Sequence, residues 1–350
     1  MEALSLVPAP DTIPAPWWLF EALVVIALTI HFIFINIVVG GGIIALGSRL
    51  RQAKKDTVPF AVPGITTALA LGINFGVAPL LFAQVLYGQF LYTSSILMAV
   101  WWILVIPVLI AAYYGAYIYS EGKAQAIRST ALALSLAALL YIAFIFVNNM
   151  TLMLNPKAWA AYFGNRSGTM LNLSDPALIP RYVHFLVASV AVAGLYGALR
   201  AHRSEGPKAP AVRKGLRIFS GATAVQIASG FWFLLSLPDN TMRLFLGGNI
   251  LYTTILSVGI VLAIATVLMA VRGRLIPTTA SLLVLVVLMV VNRANLRSAL
   301  LSEYFKPADL MLEPQFGVMA LFLLAVAGMA FAIRRMISML PASGVGRNGR

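Results

Sequence analysis

Apolar residues in this chain run in long unbroken blocks, without the alternation of a half-buried strand or the three-to-four spacing of a soluble helix. Nine such stretches can be drawn, near positions 17–47, 60–88, 93–119, 128–153, 178–200, 213–236, 249–271, 275–292 and 315–337. Each is long enough to cross a hydrocarbon core of about 30 Å at about 1.5 Å per residue. Lipid offers the backbone no hydrogen bonds, so a stretch that crosses it alone has to be helical. The pattern predicts an all-α polytopic bundle of about nine transmembrane helices, forming a single integral membrane domain over residues 1–350. The connectors are short, and the sizeable exposed segments are expected from Asn155 to Ile179 and from Asn292 to Gln315.

Composition agrees with the pattern. Hydrophobic residues make up 61% of the 350 and charged residues 10%, with a mean hydropathy of +0.91, far from the balance of a soluble domain. The start carries Glu2 and Asp11 in place of a basic leader, and no small-residue cleavage site follows, so the first stretch is expected to be retained. The connectors alternate in charge. Arg49, Arg51, Lys54, Lys55, Lys123, Arg128, Arg200, Arg203, Lys208, Arg213, Lys214, Arg217, Arg272, Arg274, Arg334, Arg335, Arg347 and Arg350 all fall on one side. Most acids, Asp239, Glu303, Asp309 and Glu313 among them, fall on the other. Basic loops stay in the cytoplasm, which predicts an outside N-terminus, a cytoplasmic C-terminus and a bacterial-type cytoplasmic membrane. The net charge of +14 is thus accounted for by topology and anionic lipid, with no nucleic acid required.

No acid or base falls in the middle of a stretch, which argues against a proton or ion pathway. Gly40-Gly41-Gly42 and Pro79 interrupt the first two stretches, either for close helix packing or to make room for a flat macrocycle. Three histidines remain to be placed. His202 belongs to a basic connector. His184 follows Arg181-Tyr-Val at the head of the fifth stretch, and His31 lies well inside the first, about 21 Å of helix beyond Trp17-Trp18. Counted from the ends of their stretches, His31 is the deeper, which predicts two separate sites. A buried imidazole costs energy in lipid unless a partner compensates it. There is no cysteine and no nearby second histidine to build a zinc centre, whereas a heme iron needs one or two such ligands. Absence of cysteine also removes covalent c-type attachment, which leaves heme b.

Five short motifs stand in a familiar order: His31-Phe-Ile-Phe34, Gly72-Ile-Asn-Phe75, Met153-Leu-Asn-Pro156, Arg181-Tyr-Val-His184 and Phe316-Gly-Val-Met319. With nine stretches and an outside N-terminus, the chain resembles subunit I of the cytochrome bd quinol oxidase family over most of its length. The resemblance implies that His184 and Met319 ligate a low-spin heme b near the outer face and that His31 ligates a second heme. An imidazole–thioether pair raises the iron's reduction potential, which suits electron entry from quinol or exit to a c-type cytochrome. Arg181, Arg293 and Arg297 are the expected propionate partners, the last two sharing a face if their helix continues that far. Gln84 and Gln89 are candidate contacts to a quinone carbonyl or a porphyrin edge.

Departures from the family pattern bear on the reaction. The stretch from Ser95 to Pro107 has none of the family's glutamates, the connector around Asp239 and Arg243 is short, and Gly317 stands where the family has arginine. Without a buried acid, four-electron oxygen reduction lacks a proton donor. The leading expectation is a quinol-oxidising electron-transfer subunit that serves a c-type cytochrome or a second redox membrane subunit. The alternatives are a genuine bd-type terminal oxidase subunit and a heme-free transporter or assembly factor.

The charge pattern makes a direct prediction. A reporter fused after Lys208 should read as cytoplasmic and one at Lys306 as external; the reverse assignment would invert the topology.

Overall fold

The structure, a computed structural model, describes residues 3–50 and 64–339. Arg51, Lys54, Lys55, Arg347 and Arg350 of the basic segments lie outside them. The described residues are almost wholly helical. Among the described residues nine helices are long and apolar enough to cross a membrane: α1 (Trp17–Leu50), α2 (Ile65–Leu97), α3 (Ala99–Glu121), α4 (Gln125–Met153), α5 (Leu178–Glu205), α6 (Pro210–Leu235), α8 (Ile250–Val271), α9 (Leu275–Leu301) and α10 (Phe316–Met339). A one-turn helix, α7 (Asp239–Arg243), runs into a π-helical turn, Leu244–Gly248, before α8. The Asn249 side chain caps α8 by accepting from the Leu251 and Tyr252 amides at 3.0 and 3.2 Å.

Two connectors differ from expectation. No loop separates the second and third spans, because α2 continues to Leu97 and a single residue, Met98, joins it to α3. The helix absorbs the change of direction at Tyr87 (φ −131°, ψ 27°), eight residues beyond Pro79. The segment from Asn292 is not an exposed loop either. It completes α9 as far as Leu301 and buries Leu296, Arg297, Ala299 and Leu301, because its apolar residues still recur at helical spacing between the polar ones.

Glycines decide which helices touch. A side chain on Gly40 of α1 would overlap the Ser189 carbonyl of α5, and one on Gly42 would meet Leu136 of α4 at 3.4 Å. The interrupted first span therefore serves close packing. Gly194 and Gly215 do the same for α5 and α6, since a Cβ on Gly215 would lie 2.6 Å from the Gly194 carbonyl oxygen. One core joins α1 to α4, Val192 of α5 included, and another joins α5, α6, α8 and α9. Hydrogen bonds stitch neighbouring helices: the Ser135 hydroxyl donates to the Ala112 carbonyl at 2.7 Å and the Tyr182 hydroxyl to that of Leu140 at 3.0 Å.

α10 stands apart. It has no extended packing against another helix, and its most apolar window is wholly exposed. A short parallel pairing anchors the chain just before it: Ile13 donates to Met311, Glu313 to Ile13 and Gln315 to Pro14, at 2.9, 2.9 and 3.3 Å.

Gly40→Leu should destabilise the bundle by about 1–3 kcal/mol, the usual range for an overpacked contact. Gly47→Leu, where an added Cβ meets nothing within 4 Å, should be nearly neutral. Thermal unfolding of the two variants in detergent checks the contrast.

Candidate heme-binding and electron-transfer site

The candidate groups gather toward the end of the bundle at which α1 begins. His31 projects from α1 onto α2, where its Nδ1 lies 2.7 Å from the Gly72 carbonyl oxygen. A helical carbonyl is normally shielded by the side chain one turn later. Here that position is Gly76, and a Cβ on it would sit 2.7 Å from His31 Nδ1. A carbonyl can only accept, so Nδ1 carries the proton and Nε2 keeps its lone pair.

His184 repeats the construction on the next pair of helices. It projects from α5 onto α6, with Nδ1 3.1 Å from the Ser229 hydroxyl. Ser229 in turn donates to the Gln226 carbonyl at 3.0 Å. The Gln226 carbonyl faces the imidazole as well; a carbonyl can only accept, and a serine whose proton goes to that carbonyl accepts too, so Nδ1 carries the proton and again Nε2 is left with its lone pair. Gly230 leaves the space, since a Cβ there would lie 3.3 Å from His184 Cε1. Metal-ligating histidines characteristically donate their second ring N–H to such an oxygen, which fixes ring orientation and tautomer.

The two imidazoles face away from each other, one toward α2 and one toward α6, and aromatic rings link them. His31 touches Phe32 at 5.7 Å between ring centroids, Phe32 touches Phe185 at 5.7 Å, and Phe185 touches His184 at 6.4 Å. The sequence expectation made His31 the deeper of the two, but the Phe32–Phe185 contact, one residue beyond each histidine, sets the imidazoles at about the same level along the bundle. α1 begins further out than α5, so counting from helix starts exaggerates the depth of His31.

Above the imidazoles lies a cationic cluster. α9 carries Arg293 and Arg297 one turn apart, and Arg181 sits one turn before His184 on α5. Arg293 is the electrostatic neighbour of Arg181, Arg297 and His31. Arg181 stacks on Phe233 of α6 at 5.0 Å, and Arg297 on the buried Tyr87 ring of α2 at 4.3 Å. Arg297 pairs with Glu21 of α1, and the Tyr87 hydroxyl reaches the same carboxylate at 3.4 Å. Among the described residues Arg293 has no carboxylate of its own. Arg293 Nε, Arg297 Nε, Asn295 Nδ2 and Gln89 Nε2 are buried without a hydrogen-bond partner. Unmet buried donors cost about 1–3 kcal/mol each, so the face carrying Arg293 and Arg297 suits a ligand rich in acceptor oxygens and negative charge. Heme propionates have that chemistry, and the residues present fit the group.

Not every expected residue joins this arrangement. Met319 lies half-buried in the first turn of α10, a helix with no extended packing on α5. Gln84 is half-buried on α2 with no hydrogen bond to the cluster, and His202 lies in the last turn of α5, at the opposite end. Among the described residues no group of three or more histidines and acids could hold a bare metal ion. Sequence reasoning missed Glu21, Tyr87, Ser229 and the Phe32–Phe185 contact. An acid one turn inside an apolar span was a readable signal for Glu21; the others depend on which helices become neighbours.

Comparison with known protein families, with characterised proteins and with solved structures finds no match for this chain. The assignment of a function therefore rests on the geometry.

The Glu21–Arg297 pair gives a sharp test of the cluster. Arg297→Leu should cost about 1–3 kcal/mol, because it leaves the half-buried Glu21 carboxylate with only the Tyr87 hydroxyl. The double variant Glu21→Leu/Arg297→Leu should cost clearly less than the two single changes together. A double-mutant cycle on unfolding in mixed micelles measures this coupling.

Proposed function

We propose that this chain is a b-type heme electron-transfer subunit of a membrane quinol oxidoreductase, resembling subunit I of the cytochrome bd quinol oxidases. In this reading His31 and His184 offer Nε2 to two heme irons, and Arg293, Arg297 and Arg181 receive the propionates. One observation carries it: two imidazoles, each with its lone pair free and its other nitrogen tied back, joined through Phe32 and Phe185. One-electron exchange between two irons needs close, rigid, water-free contact, and the touching rings supply it.

Heme supplies the one-electron redox couple; the chain fixes its place and potential. The contacts at Nδ1 would orient the ligating nitrogens, Gly76 and Gly230 make the space that the rings themselves occupy, and the arginines would compensate carboxylate charge that lipid otherwise excludes. Quinol near the outer face is the electron donor in this reading, and a c-type cytochrome or a second redox membrane subunit the acceptor. The lack of acids from Ser95 to Pro107 favours electron transfer over oxygen reduction. Met319 becomes the second ligand of the His184 iron if α10 closes onto α5 when the group is bound or a partner is present.

Pyridine hemochrome assays on the purified chain test this reading. About two hemes per chain are expected, and about one in either His31→Ala or His184→Ala, since each imidazole serves its own iron. Absence of heme from protein made with heme in excess would overturn the assignment. Met319→Leu should fold normally, at a cost below about 1.5 kcal/mol, and should lower the potential of the His184 heme. An unchanged spectrum and potential would remove Met319 as a ligand.

A further inference from the structure

We infer that Ser229 is a positioning residue that sets the tautomer and the donor strength of His184, and through them the reduction potential of the iron at that site. The inference builds on the proposed heme function, but its first test does not need heme.

The argument starts from where each hydroxyl and imidazole proton goes. Ser229 is buried in α6 and makes two contacts of note, donating to Gln226 at 3.0 Å and meeting His184 Nδ1 at 3.1 Å. One proton cannot serve both. With it placed on the helical carbonyl, the serine oxygen accepts from His184, and the imidazole is held as the Nδ1–H tautomer. Drawing on that N–H makes Nε2 a better electron donor, which favours the ferric state and lowers the potential. A hydroxyl is a weaker acceptor than the main-chain carbonyl that serves His31, and its contact is longer, 3.1 Å against 2.7 Å. The His184 ring thus has a replaceable side chain among its partners, beside the Gln226 carbonyl that also faces it, whereas the His31 contact is with backbone alone, where Gly76 leaves the space.

The first experiment is 15N NMR of histidine-labelled, heme-free protein. The Nδ1–H tautomer of His184 is expected in the parent protein, a mixture of tautomers in Ser229→Ala, and the parent pattern again in Ser229→Thr, which restores the hydroxyl. An Nε2–H tautomer in the parent, or no change in Ser229→Ala, overturns the inference whether or not the chain binds heme. The second experiment is a potentiometric titration of the heme-loaded protein. Ser229→Ala should shift the His184 heme to higher potential, with heme content and the other potential unchanged, and Ser229→Thr should return it. An unmoved or lowered potential overturns the tuning role. Loss of fold in Ser229→Ala would leave Ser229→Thr and the parent tautomer to decide. Finding no heme at all would sink the functional reading and leave the tautomer result standing.

Discussion

Where the Gly40 side chain would be, the Ser189 carbonyl sits instead, and this approach of α1 to α5 fixes how the two halves of the bundle meet. In lipid the hydrophobic effect does not drive one helix against another, so association relies on surfaces close enough for dispersion and for backbone-to-backbone contact. A β-carbon at position 40 would push the helices apart and separate Phe32 from Phe185. With the approach in place, these rings touch, and the imidazoles beside them are turned outward onto α2 and α6. Each half then presents one histidine to the helix that follows it.

A second constraint follows from the solvent. A polar side chain in a hydrocarbon environment has no water to fall back on, so whatever it bonds to has to come from the protein or from a ligand. The serines and threonines mostly bond their own helix, as Thr29 does to the Val25 carbonyl and Thr266 to that of Leu262. The histidines bond across helices. The arginines are only partly served: Glu21 answers Arg297, aromatic faces answer Arg297 and Arg181, and Arg293 is left with cations as its nearest charges. A cluster left in this state would accept an anionic group readily, because such a group would meet both the unpaired charge and the unmet donors.

The exposed α10 belongs to the same picture. A helix apolar on every side is at home in lipid without a protein neighbour, so nothing in its composition forces it onto the bundle. Among the described residues it is tied by the backbone pairing of Ile13 and Pro14 with residues 311–315 and by the Thr12 hydroxyl on Glu313. That tether holds the start of α10, and hence Met319, at the end of the bundle where the arginines gather.

The sequence by itself determined the number of spans, because a length of apolar residues matched to the bilayer can be counted, but not where each one ends. It marked His31 and His184 as unusual, and the spacing of Arg293 and Arg297 placed them on one helical face. It was blind to relative depth, since counting from helix starts ignores that α1 begins further out than α5. It also extended an exposed loop over Asn292–Leu301, where polar residues masked a continuing helix. Only the tertiary structure decided that Ser229 stands behind His184, that Glu21 meets Arg297 across 276 residues, and that Phe32 rests on Phe185. The physical reason is that lipid imposes length and polarity on each span separately, whereas the neighbour of a given side chain is chosen by which glycines let which helices come close.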